Sequence, residues 1–213
     1  MDENTFSPMQ LDAIREVGNI GTGNAATALS KMLSCKTMMD VPDVKFVSVY
    51  ELSKYYGNPT DTVAAVFVRS IGGFMCSLIF IQPEEESHFM VELLLKQQFG
   101  TYIPYDEIPE HMSDSALTEV GNIVLSSFLN AINLLLGTQH QISVPGVAHD
   151  MLSSVLDVAA SVFGQMGEMA LLIKTELKVD AGKNEDVKDV RGNIILIPDP
   201  DALNVLLDKL KVS

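Results

Sequence analysis

Two short stretches of this chain carry the same side chains at the same spacing. Asp12, Glu16 and Asn19 precede Pro42, and Ser115, Glu119 and Asn122 precede Pro145, each 103 residues further on. The pentapeptide Glu-Val-Gly-Asn-Ile is identical in both copies, and both obey Asp/Ser-x3-Glu-x2-Asn-x22-Pro. A four-position match with every gap preserved points to an internal duplication. A carboxylate and a carboxamide one helical turn apart make a poor nucleophile set, because no activated attacking group stands with them. Two carboxylates and an amide are also too few for a metal cage. What such a pair can do is position. An amide can hydrogen-bond a water and aim it, as the glutamine of a GTPase does, and a carboxylate can hold a partner's lysine. That chemistry suits hydrolysis of an activated phosphoryl group whose metal and electrophile come from a substrate protein.

Helices must carry these residues. At about 100° per residue, Asp12, Glu16 and Asn19 form one polar stripe at i, i+4 and i+7. Leu11, Ile14, Gly18, Ala25, Ala28, Leu29 and Met32 form an apolar stripe on the other side. The second copy repeats the pattern, with Leu117, Gly121, Val124, Phe128, Ile132 and Leu135 inward and Ser115, Glu119 and Asn122 outward. Both triplets are therefore expected to point away from the core. Asn is a mediocre mid-helix residue, since its side chain competes for backbone hydrogen bonds. Its recurrence at one register marks function rather than an ordinary solvated face. Gly18 and Gly121 are expected to let helices pack closely.

The first helix should start at Ser7-Pro8-Met9-Gln10, a capping box with Pro at the first helical position, and run to about residue 34. Each half then reads helix, strand, short helix, strand, strand, helix. Short helices are expected near residues 50–56 and 150–163, and hairpins at 63–68 with 74–81 and at 170–179 with 193–197. Residues 180–191 should form a charged hairpin tip, and residues 100–109 the connector. The halves, about 7–100 and 110–213, would pair about a pseudo-twofold axis. The expected fold is α+β, an antiparallel sheet covered by helices in one domain spanning 1–213.

Composition narrows the partners. Hydrophobic residues make up 47% and charged residues 20%, a globular balance. Fourteen basic against twenty-eight acidic side chains leave a formal charge of −14. That excludes a general nucleic-acid binder and disfavours an anionic membrane surface. Cys35 and Cys76 form no CxxC pair and read as buried free thiols of a cytoplasmic protein. The acidic start lacks a signal-peptide pattern, and apolar runs such as 194–197 fall far short of the roughly 20 residues of a membrane span. The four histidines show no ligand spacing. Gly21-Thr22-Gly23-Asn24 lies inside a helix and lacks the Lys-Ser/Thr tail of a P-loop.

The doubled motif resembles that of the CheC–CheX–FliY group of chemotaxis phosphatases, and the resemblance covers nearly the whole chain. It implies hydrolysis of the aspartyl phosphate of the response regulator CheY. By that resemblance Asn19 and Asn122 position the attacking water, and Glu16 and Glu119 bind the regulator's lysine. Asp12, Ser115, Pro42 and Pro145 complete the pattern and are expected to set helix orientation and chain geometry. No cofactor of its own is implied, and Mg²⁺ is expected to come with the phosphorylated regulator. The two copies set the chain apart from single-copy, dimeric CheX, and the lack of a long extra segment argues against FliY. A monomer is expected. The resemblance also implies the receptor deamidase CheD as a partner, with Leu156, Asp157 and Val158 of the second short helix as contacts. The alternative is a non-catalytic module that sequesters phosphorylated CheY and regulates CheD.

Overall fold

The computed structural model describes residues 6–139, 141–163, 168–180 and 188–210. Helix α1 (Pro8–Leu33) starts on a complete capping box. The Ser7 hydroxyl accepts the Gln10 N–H at 3.3 Å, and the Gln10 carboxamide oxygen accepts the Ser7 N–H at 2.9 Å. The helix ends on Ser34, which adopts the left-handed conformation (φ 49°). Strand β1 (Lys36–Ser48) follows, then a 3-10 helix at Val49–Tyr55. A hairpin of β2 (Thr62–Ile71) and β3 (Cys76–Pro83) leads into α2 (Glu84–Phe99).

The second half repeats this order. Helix α3 (Glu110–Leu136) is followed by the two-residue β4 (Gln141–Ile142) and by β5 (Gly146–Met151). Next come α4 (Leu152–Val158), a π-helical turn at Ala159–Phe163, the hairpin β6 (Met169–Asp180) and β7 (Lys188–Pro198), and α5 (Pro200–Lys209).

All described strands join one antiparallel sheet in the order β1-β6-β7-β3-β2, with β4 and β5 both on the outer side of β2. Exchanging each strand for its repeat counterpart (β1 with β5, β2 with β6, β3 with β7) reverses this order and leaves it unchanged. The pseudo-twofold axis therefore passes between β3 and β7. The repeats interleave: β1 of the first pairs with β6 of the second, and β5 of the second pairs with β2 of the first.

Side-chain alternation along the central strands divides the core into two layers. Leu78, Phe80, Ile194 and Leu196 face α1, α2, α3 and α5 in one cluster. Ile79, Ile81, Ile195 and Ile197 face the 3-10 helix and α4 in the other. With both faces covered, β3 reads as a continuous apolar run rather than an alternating one. Among the described residues, α3 alone has the length and apolarity to cross a bilayer, yet half of its apolar window is buried in this fold.

Several boundaries differ from the sequence expectation: β2 runs on to Ile71 rather than ending at residue 68, and the α-helical part of the second short helix ends at Val158. The strand expected at residue 74 starts at Cys76, because Gly72 and Gly73 adopt positive φ (77° and 58°) and hold the turn. The short helix expected from residue 150 starts at Leu152, because Asp150 and Met151 pair with Val63 and Thr62 in the sheet. The charged tip expected over 180–191 is shorter: β6 runs through Asp180 and β7 begins at Lys188, so residues 180 and 188–191 are strand, and residues 181–187 lie outside the described residues. Of the two free thiols expected to be buried, Cys76 is, whereas Cys35, just past the end of α1, is partly exposed; burial pushes the pKa of both upward.

Candidate active site

The duplicated motif lies on α1 and α3, the two longest helices. Gly21 of α1 sits so close to α3 that a Cβ there would stand 2.8 Å from the Phe128 Cα, so the helices cross with backbone nearly on backbone. Each helix buries the centre of the stripe its periodicity foretold, while Leu11, Ala28, Met32 and Leu135 at its margins are only partly buried. Ile14, Gly18, Ala25 and Leu29 are buried on α1, and Leu117, Gly121, Val124, Phe128 and Ile132 on α3. The motif glycines have the packing role expected of them. A Cβ on Gly18 would stand 3.2 Å from both the Phe128 ring and the Val41 side chain, and one on Gly121 would stand 2.6 Å from Val66.

On the first face Asp12 and Glu16 are exposed, and Asp12 pairs with Arg15 at 2.9 Å. Asn19 departs from the expected outward pose. It is half-buried, and its Oδ1 accepts the backbone N–H of Val41 at 2.9 Å. The motif proline explains why that N–H is available. The β1–β6 register shifts between Asp40 and Asp43, so Val41 and Pro42 form a β-bulge on an edge strand. Proline, lacking an N–H, is tolerated at such positions. Gly18, Asn19 and Pro42 thus act together. The glycine lets α1 settle against Val41, the bulge turns the Val41 N–H out of the ladder, and the asparagine accepts it. A carbonyl oxygen has two lone pairs, so Asn19 keeps one acceptor site and two N–H donors for another molecule.

The second face is more open. Ser115, Glu119 and Asn122 are all exposed, and the Asn122 side chain has no hydrogen-bond partner among the described residues. Pro145 lies in the link between β4 and β5, beside Val144, which is 91% exposed. The bulge of the first repeat is replaced by a break between strands, and the Val144 N–H does not reach Asn122. Asp114, next to Ser115, contacts His149 of β5 at 3.2 Å and ties that strand to α3. A cleft of about 310 Å³ opens beside Ser115 and Glu119, lined by Leu95 and Phe99 of α2 and by His111 and Met112 of α3. Sequence reasoning missed these neighbours, and it missed Val41. The fixed Asn-x22-Pro spacing was the available signal for Val41, since it places that residue immediately before the proline.

Of the three α4 positions singled out, Asp157 and Val158 are exposed, whereas Leu156 is 5% exposed and packs into the second core cluster. The two faces arise on different helices, and although Ser115 and His111 line the cleft beside Glu119, no hydrogen bond pairs that serine with a base among the described residues.

A family model described as CheC-like matches residues 9–46 and 112–149, the segments that hold the two motif copies from helix to proline. The chain is 34% identical over 212 residues to the CheY-P phosphatase CheC of Bacillus subtilis, covering 99% of this chain and 98% of that one. Its fold matches the crystal structure of Thermotoga maritima FliY with a TM-score of 0.72 at 18% identity, covering 97% of this chain and 98% of that one. A CheX–CheY–BeF3–Mg²⁺ complex from Borrelia burgdorferi matches with a TM-score of 0.50 at 19% identity, covering 84% of this chain and 96% of the matched one. At those identities the structural likeness speaks for the fold, and the full-length sequence likeness speaks for descent. With its duplicated Glu–Asn helices and interleaved antiparallel sheet, this chain belongs to the CheC-like family.

Proposed function

We propose that this chain is a phosphatase that hydrolyses the aspartyl phosphate of CheY at two separate faces, one on α1 and one on α3. The observation that carries this reading is the repeated, accessible Glu–Asn pair, with the long-range likeness to a CheY-P phosphatase behind it. An acyl phosphate needs little from its catalyst. Its leaving group is a carboxylate, stable as an anion at neutral pH with an ordinary pKa near 4, so no general acid is required. Water attacks phosphorus, the bond from phosphorus to the aspartyl oxygen breaks, and the water's proton passes to phosphate or solvent. Asn19 or Asn122 orients that water, while Glu16 or Glu119 holds the regulator's lysine and fixes the docking register. Mg²⁺ belongs to the regulator and neutralises phosphoryl charge there.

Positioning alone supplies large factors when geometry is held. Asn19→Ala and Asn122→Ala should each remove turnover at one face. The double substitution should lower phosphate release from phosphorylated CheY by at least roughly a hundredfold, the scale of losing a preorganised polar group. Full turnover in a folded double variant would overturn the reading. Release of many phosphates per chain at substoichiometric protein separates catalysis from mere sequestration.

CheD is assigned to the α4 edge in the same reading. Support comes from exposed Asp157 and Val158, with Val162 49% exposed on the turn that follows. Leu156 would act from beneath, by holding α4 on the sheet. The chain acts as a monomer in this scheme, since the internal repeat already supplies both faces.

A further inference from the structure

Helix α1 contains three glycines that β-carbons could in principle replace, and only two are explained by packing. Gly18 and Gly21 touch Val41 and α3, whereas a Cβ on Gly23 would meet nothing within 4 Å. Glycine is the poorest helix former after proline, so an exposed glycine in the middle of a 26-residue helix weakens α1 without any internal return. Gly23 lies on the functional face. Counting from Glu16 it stands at i+7, one turn beyond Asn19, beside Ile20, an apolar side chain left 56% exposed on a polar stripe. An open groove of about 530 Å³ begins at Gly23 and continues between α1 and the start of β1, past Met38.

The duplication provides an internal control. The counterpart of Gly23, 103 residues on, is Ser126, whose hydroxyl folds back to donate to the Asn122 carbonyl. The second face therefore carries a side chain where the first carries bare backbone. We infer that Gly23 is a specificity-determining residue at which the backbone of the docked phosphorylated receiver rests directly on α1, giving the first face a closer approach than the second. This inference rests on the phosphatase reading above.

The test isolates the first face in a chain carrying Glu119→Lys and Asn122→Ala. The readouts are its affinity for beryllofluoride-activated CheY and its melting temperature. Gly23→Ala should weaken binding by about tenfold or more, the scale of an overpacked contact, while raising the melting temperature. Gly23→Ser, which copies the second repeat, should weaken binding in the same way. Unchanged affinity with a raised melting temperature would overturn the inference, as would a lowered melting temperature, which would assign the glycine to the fold. A folded background chain that binds no activated CheY would also overturn it, because the first face would then not dock. The two claims fail separately. Turnover surviving in Asn19→Ala/Asn122→Ala sinks the phosphatase reading, whereas lost turnover there together with tight binding by Gly23→Ala sinks this inference alone.

Discussion

The two asparagines share a motif but not an environment. Asn19 satisfies the backbone N–H of Val41, a residue only 3% exposed, while Asn122 is exposed and has no hydrogen-bond partner among the described residues. Removing the acceptor from a buried donor costs about 1–3 kcal/mol. Asn19→Ala should therefore lower unfolding stability by about 1–2 kcal/mol, at the lower part of that range because the amide is half-buried. Asn122→Ala should stay within about 0.5 kcal/mol of the parent chain, since exposed substitutions rarely do more. Urea unfolding of the two single variants measures this difference without reference to turnover. Equal stabilities would mean that the bulge N–H finds another partner. The consequence for chemistry is that the first amide is preoriented and the second is free to turn.

Helices α1 and α3 are placed by their glycines as much as by their apolar stripes. A Cβ on Gly121 would fall 2.6 Å from Val66, which is 4% exposed on β2 and held between β3 and β5. Neither side can give way cheaply. Gly121→Ala should lower stability by about 1–3 kcal/mol despite alanine's better helix propensity, as read by denaturant or thermal unfolding. The motif glycine of each repeat sets the height of its helix above the sheet, and the adjacent asparagine takes its position from that height. A stabilising effect of Gly121→Ala would show that α3 is free to rise from β2.

At the scale of the molecule, the repeats are joined as partners in one sheet. The strands that follow each repeat's long helix complete the other repeat's hairpin, β1 with β6 and β4 and β5 with β2, and β3 meets β7 across the pseudo-twofold axis. Arg69 of β2 reaches Asp199, the residue before α5, at 2.6 Å and fastens the halves again. Chains covering residues 1–105 and 106–213 would each expose unpaired strand edges and half of an apolar sheet, a known route to aggregation. Produced separately, they should fail to give cooperative unfolding transitions, whereas refolded together they should recover the secondary structure of the intact chain by circular dichroism. Two independently stable halves would contradict the interleaved sheet.

Periodicity and capping made α1 legible to within a residue of its ends, because a capping box and a 3.6-residue stripe are local signals. The apolar centres of the hairpins were legible for the same reason, whereas the charged outer part of β7, residues 188–191, read as a tip because its pairing with β6 is a tertiary choice. The duplication was also plain in the sequence, and with it the four side chains that the proposed chemistry uses. What the one-dimensional pattern could not hold was which strand pairs with which. Pairing is a long-range choice made by burial on both faces of the sheet, and it interleaved the repeats. That choice placed Val41 under Asn19 and left Asn122 untethered, so two faces with one motif acquired different geometry. Residue types and spacings determined the available chemistry, and only the tertiary contacts, which bring residues 19 and 41 or 121 and 66 together, decided how firmly each face holds it.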